Sequence, residues 1–348
     1  MSKAVVKWND SYSDEFSINN GVKQGAIISA PLFALYIEPM LERLKNTKVG
    51  CYVGNLCANA FAYADDLVLL SPSRTALDQM INVCESYADE YKLKFNPEKC
   101  TLLIFSDSDF FFNNVSISLC GRIIKNVRHE KHLGHQLCSS YDHTLNIINF
   151  DDIIRDMKVR TNVIINEFRP VSWQSKVTLF LSQCSSLYGC SLWRLDDPKI
   201  NELCTAWKVC SRRILGLHNR TRSRLIHQIM DTMPILYIIM YRILNFFISG
   251  INHTESFISN FFKNVMLANS SYMQVNVNKI LKEFNINYSK LFDLSKLELK
   301  NIIKNKIEEP EWQCGIIVEL LQMRDNQSFS NLNHDEINLI PDKISTDF

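Results

Sequence analysis

The run Phe61-Ala62-Tyr63-Ala64-Asp65-Asp66-Leu67-Val68-Leu69-Leu70 sets two adjacent carboxylates between two apolar stretches. Like charges side by side raise the cost of keeping both ionised. Divalent cations remove that cost. Oxygen ligands suit Mg²⁺, and two ions about 4 Å apart can clamp the attacking and leaving oxygens of a phosphoryl transfer. Asp is also a common turn former, so the pair alone fits a plain turn as well. Upstream lies a glycine-bounded loop, Gly21-Val22-Lys23-Gln24-Gly25, and downstream stands Lys99 after Leu93-Lys94-Phe95-Asn96-Pro97.

Arg212, Arg213, Arg220, Arg222 and Arg224 fall in a stretch without a single acid, with His218 and His227 nearby. Such a stretch reads either as a phosphate-contacting patch or as a solvated helix face and loop. His129, His132, His135 and Cys138 recur at every third position, but on strands that spacing sends alternate members to opposite faces, against a zinc site. Cys184 and Cys190, like Cys204 and Cys210, are spaced too widely for a zinc pair, and most of them fall on apolar helix faces. Trp173, Trp193, Trp207 and Phe246-Phe247 could stack on bases, yet their inward positions favour the core.

These residues need elements to hold them. Val5–Trp8 and Glu15–Ile18 read as one hairpin, and Ala58–Tyr63 with Leu67–Ser71 as a second one carrying the carboxylates. Ser29 sits where an N-cap would, before Pro31 and an apolar face from Leu32 to Leu44. A second helix is predicted from Arg74 to Tyr91, with strands at Leu102–Phe105 and Val115–Leu119. Beyond about residue 140 only helical periods remain. Ser172 caps a helix whose face is Val177, Phe180, Leu181, Cys184, Leu187 and Tyr188, and Asp197-Pro198 starts another that Gly216 ends. The fold class is α+β: an antiparallel sheet with helices on one face, then an all-α part.

Composition narrows the function classes. The 348 residues carry 38 Lys and Arg against 37 Asp and Glu, so any nucleic-acid contact must use a local patch. The 10 glycines fall well short of the roughly 24 that average usage would give, and no GxGxxG or Walker-type loop occurs. Eleven cysteines, an odd number evenly spread, suit a reducing compartment, so the protein is expected in the cytoplasm or nucleus and not secreted. Met233–Gly250 is interrupted by Pro234, Arg242 and Asn245, which argues against a membrane span.

In order and spacing, the loop 21–25, Ser29 with Pro31-Leu32-Phe33, the Tyr63-Ala64-Asp65-Asp66 hairpin, the Asn96–Lys99 turn and His132-Leu133-Gly134 resemble the reverse transcriptase of LINE-type (non-LTR) retrotransposons. Cys184–Trp193 and Trp207–Leu217 resemble two segments of that family's thumb, so the likeness covers about residues 5–250. The resemblance implies a partial polymerase palm over 1–137, a helical thumb over 138–230 and a helical carboxyl-terminal extension over 231–348. It makes Asp65 and Asp66 catalytic ligands of two Mg²⁺ ions and sets Lys99 beside the departing pyrophosphate. Gln24, Gly25 and Tyr63 would line the nucleotide and primer-terminus pocket, and His132, Leu133 and Gly134 would form the primer grip. The implied partners are an RNA template and a DNA primer.

The sequence departs from the family in two ways. Pro31 stands one place later after Ser29 than the family has it. The palm's third carboxylate, expected on a strand well before Gly21, has no counterpart among the twenty residues that precede it, and the fingers are absent too. Asp10 and Asp14 lie in the first hairpin and are no substitute. The expectation is therefore an RNA-directed DNA polymerase fragment, inactive alone and completed by a palm and fingers segment from a longer product. The alternatives are a non-catalytic nucleic-acid-binding remnant and a functionless product of a decayed element.

Overall fold

A computed structural model describes residues 2–18, 21–23, 25–106, 109–139, 150–185, 187–267 and 271–305. They fall into two compact units: 2–130 with 137–139, and 131–136 with 150–305.

The first unit is α+β. Its opening hairpin is nested: β1 (Ser2–Ala4) pairs with β4 (Phe16–Ile18), and β2 (Lys7–Trp8) with β3 (Ser11–Tyr12). Helix α1 (Ser29–Asn46) buries Ile37, Met40 and Leu44. Leu32 and Leu35, expected inward, are 47% and 64% exposed. Ser29 is not the cap either: the Leu32 amide bonds the Ile28 carbonyl, starting the helix one residue sooner, while Ser29 Oγ donates to the Lys23 carbonyl at 2.6 Å and closes the glycine loop.

The short pair β5 (Tyr52–Val53) and β6 (Leu56–Cys57) leads into β7 (Ala60–Tyr63) and β8 (Asp66–Leu69). Helix α2 (Arg74–Tyr91) occupies the predicted span, with Ser73 Oγ accepting from the Ala76 amide as N-cap. Ala60, Ala62, Leu67 and Leu69 turn one face of the β7–β8 ladder onto Met40, Leu44, Met80, Cys84 and Tyr87. Two side-chain hydroxyls tie the helices across the cluster, Tyr36 Oη donating to the Tyr91 carbonyl and Tyr87 Oη to the Tyr36 carbonyl. Arg43 adds a two-pronged ion pair to Glu90 at 2.7 and 3.2 Å.

The remainder of the unit is β9 (Thr101–Leu102), α3 (Asp109–Asn114), β10 (Ser118–Leu119), β11 (Arg122–Ile123) and β12 (Lys125–Asn126). The single antiparallel sheet that was expected is not formed among the described residues. Strands of two to four residues pair only two by two, and β9 with β12 is parallel. The physical reason lies in strand length and cover. Pieces this short propagate no ladder, and helices α1 and α2 cover the apolar face of β7–β8.

The hairpin β13 (His129–His132) and β14 (His135–Cys138) is divided between the units, its tip belonging to the second. The second unit is otherwise helical: α4 (Phe150–Glu167), α5 (Trp173–Gln183), a tight turn at Cys190–Leu192, α6 (Lys199–Leu215), α7 (Ser223–Ile229), α8 (Ile235–Ile251), α9 (Ser256–Leu267), α10 (Tyr272–Phe284), α11 (Tyr288–Leu291) and α12 (Lys296–Asn305). Gly216, at φ 65°, ends α6 in the left-handed conformation that glycine adopts without strain, and the Leu217 amide returns to the Arg212 carbonyl at 2.8 Å. One continuous core runs from Phe150 through Trp207 and Phe247 to Ile303, so the expected boundary at residue 230 falls inside it. Asn276 of α10 fastens that core by accepting from the Leu195 amide at 3.0 Å and donating to the Trp193 carbonyl at 2.7 Å. Helix α5 stops at Gln183, so Leu187 and Tyr188 leave the predicted helical face. Among the described residues, no helix is long and apolar enough to cross a membrane.

Candidate active-site hairpin and nucleic-acid interface

The β7–β8 hairpin pairs Tyr63 with Asp66, leaving Ala64 and Asp65 as its two-residue tip. Asn59, 4% exposed, anchors the base of the hairpin: its Nδ2 donates to the carbonyls of Leu44 and Val49, both at 2.9 Å. The tip carries strain, because Ala64 is held at φ 52°, a left-handed conformation costly for any residue with a Cβ. Asp65 and Asp66 are both exposed, and neither carboxylate has a hydrogen-bond or ion-pair partner among the described residues. Two unpaired neighbouring carboxylates on a fixed turn suit a hard divalent cation. The fit is partial. Among the described residues, no three His, Cys, Asp or Glu groups converge as a metal site, so this hairpin offers two oxygen ligands and lacks a third.

Tyr63 is 68% exposed on the solvent face of the ladder. Gly25 has φ 78° and Gly21 φ 107°, and a Cβ on either would meet nothing within 4 Å, so both serve backbone conformation rather than close packing. Gln24 lies outside the described residues. Lys99 is exposed beside a turn in which Asn96 Oδ1 accepts from the Glu98 amide at 3.0 Å. Phe95, Cys100 and Leu102 around it share a core cluster with Leu69 of β8, so the lysine turn and the carboxylate hairpin belong to one packed unit.

The tip of the β13–β14 hairpin is Leu133 (φ 47°) and Gly134 (φ 80°). Tyr188 Oη donates to the Leu133 carbonyl at 3.0 Å, and the Tyr188 ring stacks on His135 with centroids 5.1 Å apart. Tyr188 belongs to the motif noticed in the sequence, but its partner did not follow from any local signal. Contact with Leu133 spans 55 positions of chain.

The arginine stretch divides. Arg212 turns inward: its Nε and Nη2 bond the Thr221 carbonyl at 3.0 and 2.9 Å, and Nη2 also bonds Ser223 Oγ at 2.7 Å. Burial holds the Arg212 pKa below its usual value. Arg213 and Arg220 are exposed, Arg222 is half-buried, and Arg224 lies in α7. Trp173, Trp193, Trp207 and Phe247 are buried core residues, as are Cys184, Cys190, Cys204 and Cys210.

An exposed carboxylate pair thus stands on a strand hairpin of the α+β unit, ahead of the helical one in the chain. Residues 2–137 match the family reverse transcriptase (RNA-dependent DNA polymerase). The chain is 39% identical over 88 residues, 25% of its length, to the Retrovirus-related Pol polyprotein from type-2 retrotransposable element R2DM of Drosophila melanogaster. It is 24% identical over 226 residues, 62% of its length, to the RNA-directed DNA polymerase from mobile element jockey of the same fly. A third relative is the type-1 element R2 polyprotein of Popillia japonica, 32% identical over 89 residues, 25% of this chain and 15% of that protein. The chain spans 8% of the length of the first and 24% of the second. These relatives and the family match support a reverse transcriptase segment of the non-LTR type.

Proposed function

We propose that this chain is the later part of the palm and the thumb of an RNA-directed DNA polymerase that copies a retrotransposon RNA onto a DNA primer. The observation carrying the reading is the unpaired Asp65–Asp66 hairpin inside the stretch that matches the family. Asp65 and Asp66 would hold Mg²⁺, which when bound neutralises the phosphates of nucleotide and primer end. The rest of the machinery consists of the chain's own residues. Tyr63 presents an exposed ring at the primer terminus, Gly25 with Gln24 shapes the nucleotide pocket, and Lys99 meets the leaving pyrophosphate. His132, Leu133 and Gly134 grip the primer. Arg213, Arg220, Arg222 and Arg224 contact backbone phosphates of the duplex. The described cysteines are all free thiols, in keeping with a reducing cytoplasmic or nuclear setting.

Among the described residues no third such group joins the two carboxylates, and the reading expects the chain by itself to bind primer–template without extending it. Mn²⁺ added to isotope-labelled protein is expected to broaden the NMR signals of residues 60–69, and an Asp65→Asn, Asp66→Asn variant to lose the effect. Unchanged spectra at millimolar Mn²⁺ refute the metal assignment. Primer extension by the wild-type chain that vanishes in Asp65→Ala would overturn the claim of inactivity alone. Binding without extension is also what a non-catalytic nucleic-acid-binding protein would show. Mn²⁺ binding at the hairpin separates the two.

A further inference from the structure

The tip of the β13–β14 hairpin is held by the helical unit through a contact that no motif explains. Tyr188 reaches it in two ways, with its hydroxyl donating to the Leu133 carbonyl at 3.0 Å and its ring lying against His135 at 5.1 Å and 24°. Room for this contact depends on two glycines. A Cβ on Gly134 would stand 2.9 Å from Tyr188 Cε1, and one on Gly189 would stand 2.2 Å from His135 Cε1. Both glycines also have positive φ, 80° and 74°. The turn that presents Tyr188 is held from behind: Leu187 sits at φ 45°, and Arg242 Nη1 of α8 donates to the Leu187 carbonyl at 3.4 Å. A left-handed leucine persists only where surrounding contacts over-determine it. Yet Tyr188 is 69% exposed, so it contributes little to the core. An exposed aromatic ring mounted on a strained, braced turn and bonded to a hairpin tip suits a positioning role better than a stabilising one.

We propose that Tyr188 is a positioning residue that fixes the Leu133–Gly134 tip in the conformation that receives the primer strand. The proposal rests on the polymerase reading, and it adds that the helical unit, through Tyr188 and His135, sets the geometry of the grip. His135 stacks on the ring, and the hydroxyl fixes the Leu133 carbonyl. The ligand class is a nucleic-acid strand with a recessed 3′ end paired to a template.

The test uses the full chain and a fluorescent DNA primer annealed to an RNA template, with a blunt duplex of the same sequence as comparison. Wild-type protein should prefer the recessed end. Tyr188→Ala should lose about five- to tenfold in affinity for the recessed duplex and little for the blunt one, as expected for one hydrogen bond and one ring contact. Tyr188→Phe keeps the stack and should recover most of the preference. Gly134→Ala should weaken recessed-end binding more in wild type than in Tyr188→Ala, because the collision with the ring is gone in the latter. Melting temperatures of the Tyr188 variants should stay within about 2 °C of wild type, as suits an exposed side chain. Equal recessed-end binding by wild type and Tyr188→Ala overturns the positioning role while leaving the polymerase reading intact. A wild-type chain that binds neither duplex overturns that reading, and this inference with it.

Discussion

Arg212 and Arg213 are neighbours in sequence, yet Arg212 is bonded inward and Arg213 is exposed, a difference that a pair of single substitutions can separate. Successive helical residues point about 100° apart, so one faces the core of the helical unit while the other faces solvent. Arg212 makes three contacts, two to the Thr221 carbonyl and one to Ser223 Oγ. Hydrogen bonds from a charged donor are worth about 1.5–3 kcal/mol, and a fork on one oxygen counts closer to one bond than two. Adding the Ser223 bond and discounting for partial exposure gives a loss of about 2–3 kcal/mol for Arg212→Ala. At about 2–4 °C per kcal/mol for a unit of this size, the melting temperature should fall by roughly 5–10 °C. Arg212→Lys keeps the charge without the fork and should lose most of the same stability. Arg213→Ala should melt like wild type but flatten the salt dependence of primer–template binding by about one unit on a logarithmic plot, the signature of one lost phosphate contact. The assays are differential scanning fluorimetry and anisotropy titrations between 50 and about 200 mM salt. An Arg212→Ala protein with an unshifted melting temperature and a flattened salt slope would refute the division of roles.

Two further outcomes follow from single residues. His227 is buried, stacks on Trp207 at 5.3 Å, and has its pKa pushed down to about 4, first by burial and then by Lys208. A histidine whose folded pKa lies below its unfolded value of about 6.5 stabilises fully above pH 6.5 and loses that contribution as pH falls toward 4, up to about 3 kcal/mol. His227→Phe, which keeps the stack, should therefore show a shallower fall in denaturation midpoint between pH 6.5 and 4. An unchanged pH profile excludes His227 as its source. At the β7–β8 hairpin, Ala64→Gly should relieve the strain of φ 52° and stabilise the first unit by about 0.5–1 kcal/mol, net of the extra chain entropy. Urea unfolding at constant slope checks it, and a destabilised variant would show that the turn is not strained.

Much of this was legible in sequence because it is local. Helix α2 spans the residues that periodicity predicted, Ser172 caps α5 as a short polar side chain does, and Gly216 ends α6 where a left-handed residue is required. The Asp65–Asp66 hairpin was legible for the same reason, since its strands adjoin its turn. Ser29 misled because its hydroxyl serves a loop six residues back rather than the helix it opens. The sheet was overestimated because periodicity marks a strand without saying which strand lies beside it.

The sequence alone determined the chemistry on offer: two carboxylates on a tight turn, a lysine after another turn, and a run of arginines without acids. It also determined the helical periods that separate an α+β unit from an all-α one. Only the tertiary structure decided which of those groups are free to act. Arg212 is consumed by Thr221 and Ser223, Arg213 is not, and Tyr188 finds Leu133 across 55 positions of chain. Helical phase and turn chemistry are set by neighbours within a few residues, whereas the availability of a side chain depends on what the folded chain brings against it, and no spacing rule encodes that.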